Sequence, residues 1–288
     1  MGGHDWPFIG TEALAAGIVT PHRLRTEFEA VHRNVYIPRG QRLTSVTRAV
    51  AAWLWSGRQA TTAGLSAATL HRTEWIDPWL PAELNRRSRD KAPGIILHSD
   101  TLWEDEICVR DGIQTTTPAR TAFDLGRRKG LTTALIRLDA LARATHLKSA
   151  DVDLLVDRHR GARGVVQLRQ ALPIVDAGAE SPYETRTRLV LMAAGLPRPQ
   201  TQIEVHDRSG YLLARLDMGW EDWLVGVEFD GAQHWTDPAQ RTRDIDRLAE
   251  LEDRGWAIIR VSADLLRYRP GVVISRTRRA LRVAGCPV

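Results

Sequence analysis

The chain has 288 residues and a formal charge of +5, and its length suggests one large domain or two modest ones. Hydrophobic residues make up 43% of it, which excludes a disordered chain, and two cysteines are too few for a disulfide framework. The start lacks a signal-peptide pattern, and no apolar run reaches the length of a membrane span. We therefore expect a cytoplasmic protein with no membrane contact, whose positive charge is compatible with nucleic acid.

The first forty residues have the outline of a winged helix. Residues 11–16 and 21–30 are predicted to form two short helices, the second capped by Thr20 and begun by Pro21. The run Val31 to Ile37 reads as one strand that a Pro-Arg-Gly turn closes. The second helix of a winged helix enters the major groove, so residues 1–40 are predicted to bind DNA. A small helical cap with solvated arginines is the alternative. The arginines concerned are Arg23, Arg25, Arg33 and Arg39.

Residues 41–177 are predicted to form a mostly helical middle domain or linker. Helices are expected over 44–55, after Thr117-Pro118, and over 131–147 and 151–172, with a short strand from Ile95 to His98. We interpret the arginine-rich patches at 126–129 and 157–164 as solvated faces. The composition changes near Asp176-Ala177-Gly178, so the last domain is expected to occupy residues 178–288.

The last domain begins with a helix, followed by strands and further helices. Ser181 and Glu184 have the spacing of a capping box, which would give Glu184 an ordinary structural role. Strands are predicted over 202–206, 211–219 and 223–229, with a hairpin turn over 207–210. A helix over 238–254, a strand from Trp256 to Val261 and a basic helix over 272–283 complete the predicted domain.

Three acidic residues are predicted to share one side of this sheet. Alternate residues of a strand face opposite sides, so the apolar set from Leu212 to Met218 shares a face and Asp217 points away from it. By the same alternation, Glu228 and Asp230 point away from the apolar residues of their strand. Like charges that face each other on a sheet are destabilising, so the three acids need a counter-charge. Either Arg215 provides it through a salt bridge, or a divalent cation does so with the carboxylates as ligands.

The segment ARLDMGWEDWLVGVEFDGAQHW, with the preceding helix SPYETRTRLVLMAAG, resembles the very-short-patch-repair-like endonucleases of the PD-(D/E)xK superfamily. The resemblance covers about residues 181–270. It implies an α+β architecture with a restriction-endonuclease-like mixed sheet flanked by helices, and DNA phosphodiester hydrolysis with Mg²⁺ or Mn²⁺. It also implies that Asp217 and Glu228 are the motif acids, that Asp230 belongs to the site, and that Glu184 is the acid of the first helix.

The chain departs from this superfamily at the motif lysine. Asp230 stands at the lysine's position, and residues 181–288 contain no lysine. The role of the lysine would pass to Gln233, to His234, or to an arginine such as Arg215 or Arg260. A histidine titrates near neutral pH and is able to move a proton. Without such a substitute, the domain binds nucleic acid or metal without cutting.

The first part of the chain is similar to the AbiEi-type antitoxin proteins, through HRNVYIPRG, AATLHR and TTPARTAFDLGRR. That resemblance implies DNA binding and transcriptional repression. The sequence thus predicts a DNA-binding protein with a magnesium-dependent endonuclease domain, in which metal-activated water is the nucleophile. The first alternative is a non-catalytic regulator or antitoxin-like protein with a decayed nuclease fold. The second is a protein-interaction module. The expected partners are DNA and a toxin–antitoxin or repair protein.

Overall fold

The computed structural model describes residues 7–87, 90–231 and 238–288. The chain divides into two compact units, one ending at Val175 and the other beginning at Asp176. Both units contain helices and sheets, so the protein is α+β. In the described part of the chain, no helix is long and apolar enough to cross a membrane.

The first unit begins with a helix–turn–helix followed by a β-hairpin. The hairpin is antiparallel and forms a three-stranded sheet with the first strand, in the order β1-β3-β2. Asn34 adopts a positive φ of 63° in the hairpin turn, and its side chain exchanges hydrogen bonds with Thr11 at 2.8 and 3.0 Å. These bonds fix the turn against the first helix. The elements are β1 (Phe8–Ile9), α1 (Gly10–Ala15), α2 (Pro21–Thr26), β2 (Phe28–His32) and β3 (Val35–Pro38).

Two predictions for the segment after Thr26 were wrong: the end of the second helix and the single strand that was expected to follow it. The helix expected over 21–30 ends at Thr26, and the run expected as one strand from Val31 to Ile37 is divided by a turn between β2 and β3. The backbone of Asn34 explains the division, because asparagine tolerates the left-handed region better than most residues and thus favours a turn.

The remainder of the first unit contains a five-stranded mixed sheet, and the sequence analysis predicted only one of its strands. The strand predicted from Ile95 to His98 is confirmed as β6, and the sheet order is β6-β5-β4-β8-β7. The other strands are only two to four residues long, too short for alternation to identify them. The elements are α3 (Ser45–Trp55), β4 (Thr61–Thr62), α4 (Gly64–Leu70), β5 (Ala82–Asn85), β6 (Ile95–His98), β7 (Ile107–Arg110), β8 (Ile113–Thr116), α5 (Pro118–Arg127), α6 (Leu131–Thr145), α7 (Ser149–Arg158) and α8 (Val165–Ala171).

The second unit is a four-stranded mixed sheet with helices on both faces. The strand order is β12-β11-β10-β9, and β11 pairs with β12 in parallel while the other neighbours are antiparallel. One apolar core includes Leu191 of α9 and Leu281 of α12, and a second core includes Leu251 of α10. The elements are α9 (Pro182–Ala193), β9 (Gln200–His206), β10 (Leu212–Trp220), β11 (Val225–Asp230), α10 (Pro238–Asp253), β12 (Ala257–Ser262), α11 (Ala263–Tyr268) and α12 (Pro270–Val283).

Candidate functional site

The acidic residues predicted as a site line one open cavity in the second unit. Strands β10 and β11 pair with Met218 opposite Val227, and the next step of that register brings Asp217 beside Glu228. Asp217, Glu228 and Asp230 all line a cavity of about 430 Å³, together with Asp244 and Arg247 of α10. The structure thus brings together the three carboxylates that alternation had placed on one side.

The apolar half of the alternation argument was wrong for β10. Ala214 and Leu216 belong to the core that contains Leu251, whereas Met218 belongs to the core on the α9 side. The strand therefore changes face between Leu216 and Met218. The partner strand β9 is irregular at the same point, because Gln202 has a positive φ of 54° between the two residues that pair with Leu216 and Met218.

Asp217 is half-buried among negative charges. Its Oδ2 accepts a hydrogen bond of 2.6 Å from the backbone N–H of Phe229. Burial raises the pKa of Asp217 to about 7, the Phe229 N–H opposes that rise, and the charges of Glu184, Glu228 and Glu180 add to it. In the described part of the chain, no salt bridge reaches this carboxylate. A cation placed beside Asp217 would be stabilised by all of these groups.

Arginines neutralise the other two acids of the cavity. Both carboxylate oxygens of Glu228 accept hydrogen bonds from Arg247, at 2.6 and 3.1 Å, and Arg247 also bonds to Asp244 at 3.3 Å. Arg260 lies 2.8 Å from Asp230 Oδ2 and 3.7 Å from Asp244. The Oδ1 of Asp230 is buried and accepts no hydrogen bond from the described residues. The cavity therefore holds its charges mainly as ion pairs.

The donor set of the cavity suits a hard cation, but its arrangement does not gather the donors around one point. Among the described residues, no group of three or more His, Cys, Asp or Glu side chains has a geometry that could hold a metal ion. Carboxylate oxygens are the ligands that Mg²⁺ prefers. Here Glu228 and Asp230 are directed to arginines instead, so these residues do not fit a metal in this arrangement.

Glu184 lies in the first turn of α9, and its carboxylate is close enough to Asp217 for its charge to act there. The backbone N–H of Glu184 donates to Ser181 Oγ at 3.2 Å, as the capping pattern predicts. Its carboxylate accepts hydrogen bonds from the backbone N–H of Glu180 at 2.8 Å and from Gln202 Nε2 at 3.3 Å. The side chain is buried, and its charge contributes to the raised pKa of Asp217.

The residues proposed to replace the missing lysine have different placements. Arg215 forms a salt bridge of 2.9 Å with Glu180 rather than with the three cavity acids. Arg260 lies in the cavity and pairs with Asp230. Gln233 and His234 lie outside the described residues.

Sequence reasoning missed a buried ionic network in the first unit. Arg120 is 1% exposed and forms salt bridges with Glu106, which is fully buried, and with Asp124 at 3.2 Å. The network continues through arginines that were interpreted as solvated: Arg127 and Arg128 both bind Asp124 and Asp100. The spacing of Arg120, Asp124 and Arg128 in TTPARTAFDLGRR, four residues apart on one helix, was the available signal.

The arginines of the N-terminal helix–turn–helix divide into paired and free ones. Arg23 bonds to Glu27, and Arg39 donates to the backbone oxygens of Arg25 and Phe28, at 3.0 and 3.2 Å. Within the described ranges, the exposed side chains of Arg25 and Arg33 form no hydrogen bond or ion pair. Thr20 caps α2 by accepting a bond of 3.2 Å from the N–H of Arg23, as predicted.

Comparison with known proteins identifies the middle of the chain. Residues 47–174 match the model of the AbiEi antitoxin C-terminal domain. This part of the chain is antitoxin-like, and the predicted AbiEi-type resemblance is confirmed for it. The matched stretch begins in α3, ends just before the boundary at Val175, and contains the buried ionic network.

Two proteins of Mycobacterium tuberculosis are similar to the chain, and both are described as uncharacterized. One is from strain H37Rv and one from strain CDC 1551 / Oshkosh, and each is 35% identical over 177 residues. The aligned stretch covers 60% of this chain and 65% of each relative, so the chain spans less than two thirds of their length. No solved structure gives a significant match.

Proposed function

We propose that the protein is an antitoxin-like regulator that binds duplex DNA and does not cut it. The observation that carries this proposal is the match of residues 47–174 to the AbiEi antitoxin C-terminal domain. The helix–turn–helix and β-hairpin directly before that region supply an element with the outline of a DNA-binding module. The family match supports the antitoxin-like character, and the element that precedes it is our reason for proposing DNA binding.

Arg25 and Arg33 are the residues that we expect to contact phosphate. They lie on α2 and in the β2–β3 turn, the two places where a winged helix approaches the duplex. Their exposed guanidinium groups have no acidic partner in the described part of the chain, so they lose no ion pair when they bind phosphate. Arg23 and Arg39 are already engaged within the protein and are expected to contribute less.

The proposal is tested by fluorescence anisotropy with a labelled 30-base-pair duplex. The double variant Arg25→Glu and Arg33→Glu is expected to weaken binding by about 100-fold or more and to reduce the slope of affinity against salt by about 2. The control variant carries Lys148→Glu and Arg163→Glu, which are exposed positions of the same unit with the same change in charge. Equal loss in both variants would mean that net charge alone drives binding, and the proposal would be wrong.

A metal-dependent endonuclease is the second candidate function. It is favoured by the charge of Asp217, which no described cation neutralises, and by the buried Asp230 Oδ1 without a hydrogen-bond partner. Asp217, Glu228 and Asp230 would then be the ligands of Mg²⁺ or Mn²⁺, with a further contribution from Glu184. A bound metal would lower the pKa of a water molecule and shield the phosphate.

This second function requires that Arg247 and Arg260 release the carboxylates that they now bind. Gln233 and His234 remain the proposed groups for orienting the attacking water. The test is incubation of supercoiled plasmid with the protein and Mn²⁺, beside Asp217→Ala. Nicking that Asp217→Ala abolishes would establish the endonuclease, whereas intact plasmid supports the non-cutting regulator.

A further inference from the structure

A groove in the second unit runs between the open edge of the sheet and one helix. Among the described residues, β12 is the last strand of its sheet, and no described strand pairs with one of its two edges. A cavity of about 620 Å³ lies along it, lined by the consecutive residues Ala257 to Arg260, and at one end it also reaches Trp223 and Val225, beside Ala257. A cavity on the face of a sheet would be lined by alternate residues only. Contact with consecutive residues indicates that the groove follows the edge of the strand.

The opposite wall is a single stripe of helix α12. The lining residues Arg276, Arg279, Ala280 and Val283 are spaced at i, i+3, i+4 and i+7, the spacing of one helix face. The stripe combines two arginines with apolar side chains, and Val283 is 84% exposed. The groove therefore has a strand edge on one side and a cationic, partly apolar helix face on the other.

The hydrogen-bonding groups of the strand edge can be assigned to residues. The N–H of Ala257 donates to Leu224 O at 2.8 Å, toward β11. Because the N–H and C=O of one residue point to the same side and successive residues alternate, Ile259 and Val261 also face β11. Ile258 and Arg260 consequently direct their backbone groups to the open edge. An added strand would bond to these two residues.

The charges of the groove specify the chemistry of its occupant. Arg276 and Arg279 line it, against a single acid, Glu252, whereas the third lining arginine, Arg260, is already paired with Asp230. In the described part of the chain, the exposed Arg276 and Arg279 form no ion pair.

We propose that this groove binds an extended acidic segment of a partner protein, which adds to β12 as a further strand. The main-chain groups of Ile258 and Arg260 would hold the segment, and acidic side chains on its helix-facing side would pair with Arg276 and Arg279. Such strand addition gives affinity through the backbone and specificity through alternate side chains. The inference is independent of the proposed DNA binding, because it concerns a different unit and different residues.

The test uses a fluorescein-labelled octapeptide that alternates valine and glutamate, with the full-length protein. Anisotropy is expected to show saturable binding with a Kd below about 100 μM. A peptide of the same sequence with N-methyl groups on alternate backbone amides keeps every charge but lacks the N–H donors that would bond to the edge carbonyls of Ile258 and Arg260. It is expected to bind at least about tenfold more weakly. Slower hydrogen exchange of the Ile258 and Arg260 amides on peptide binding would place the peptide on the edge.

Two matched protein variants distinguish binding in this groove from non-specific attraction between opposite charges. Arg276→Glu with Arg279→Glu is expected to weaken the peptide about tenfold or more. Arg208→Glu with Arg267→Glu, at exposed positions of the same unit outside the groove, is expected to leave binding within about twofold. Equal binding of the N-methylated peptide, equal loss in both variants, or no binding up to about 1 mM would overturn the proposal. So would displacement of the peptide by a duplex, or a dimer that dissociates when Arg276 and Arg279 are changed.

Discussion

Arg247 binds both carboxylate oxygens of Glu228, next to Asp217, which no described cation reaches. Of these two neighbouring acids in one cavity, Glu228 is therefore neutralised by an arginine and Asp217 is not. A bidentate arginine–carboxylate pair is among the stronger charge-assisted contacts in proteins. A metal that used Glu228 as a ligand would have to displace that arginine. This relationship is the structural reason for placing the non-cutting regulator ahead of the endonuclease.

Removing the arginine should make the cavity a better metal site. Arg247→Gln keeps a hydrogen-bond donor near Glu228 but removes the charge, so Glu228 becomes available beside Asp217. We expect Mn²⁺ to bind this variant at least about tenfold more tightly than the wild type, measured by isothermal titration calorimetry. Arg254→Gln, at the C-terminal end of α10 and outside the cavity, is the control. An unchanged affinity in Arg247→Gln would show that the ion pair does not limit metal binding.

Neutralising Asp217 should stabilise the metal-free protein. Its carboxylate is half-buried beside Glu184 and Glu228, so its charge is repelled in the folded state and solvated in the unfolded state. Asp217→Asn is expected to raise the free energy of unfolding by about 1 kcal/mol at pH 8 with chelator present. Asp222→Asn, an exposed acid of the same unit, should have no measurable effect. A less stable Asp217→Asn would mean that the hydrogen bond from Phe229 outweighs the repulsion.

The buried ionic network predicts a large loss on removal of its central arginine. Arg120→Leu removes the buried partner that Glu106 and Asp124 share and leaves Asp124 to Arg127 and Arg128, and Glu106 to Arg158 and His159. Removal of one partner from a buried pair costs about 3–5 kcal/mol, and because other cations remain, we expect a loss of about 3 kcal/mol, at the lower end of that range. Arg72→Leu is the matched control, because Arg72 pairs with Asp111 at an exposed position, where pairs contribute about 0–1 kcal/mol. Urea unfolding measures both. Similar losses in the two variants would contradict the role given to the network.

His71 should make the protein less stable in mild acid. Burial lowers the pKa of His71 below its ordinary 6.5, so the unfolded chain takes up a proton at a higher pH than the folded one. Its contribution is therefore intact above about pH 6.5 and is lost as the pH falls below that value. Nε2 of His71 lies 2.8 Å from Thr116 O, and His71→Gln keeps a donor there without titrating.

The role of His71 is tested by comparing how much the free energy of unfolding of two proteins changes with pH. Unfolding free energies are measured by urea titration at pH 7.5 and pH 5.0 for the wild type and for His71→Gln. The wild type is expected to lose more stability between the two values than the variant, since all other titrating groups are shared. Equal losses would show that His71 takes up its proton equally in the folded and the unfolded state, so that burial does not lower its pKa.

Local signals in the sequence were sufficient for some features and not for others. Caps at Thr20, Thr117 and Ser181 were correctly predicted because each depends on a contact three residues away. The gathering of Asp217, Glu228 and Asp230 followed from strand alternation. The ion pair of Glu228 with Arg247, 19 residues further on, depends on how α10 docks on the sheet, which no local pattern encodes.

The first unit shows the same division. The helix containing Arg120 and Asp124 was predicted, but Arg127 and Arg128 at its C-terminal end were interpreted as solvated. Glu106, the buried ion-pair partner of Arg120, lies outside this helix, 14 residues earlier in the chain. The strands of the central sheet are too short to display a period, and their pairing is determined by long-range contacts. Short strands and buried polar networks are therefore the features that local sequence patterns do not predict.

The most direct test of the central claim is a single gel assay of supercoiled plasmid with excess protein, Mg²⁺ and Mn²⁺. Each reaction is divided, and one half is treated with protease before electrophoresis. We expect the untreated half to be retarded by bound protein and the treated half to run as intact supercoiled plasmid. Open-circular or linear plasmid after protease treatment, absent with Asp217→Ala, would contradict the account and establish the endonuclease instead.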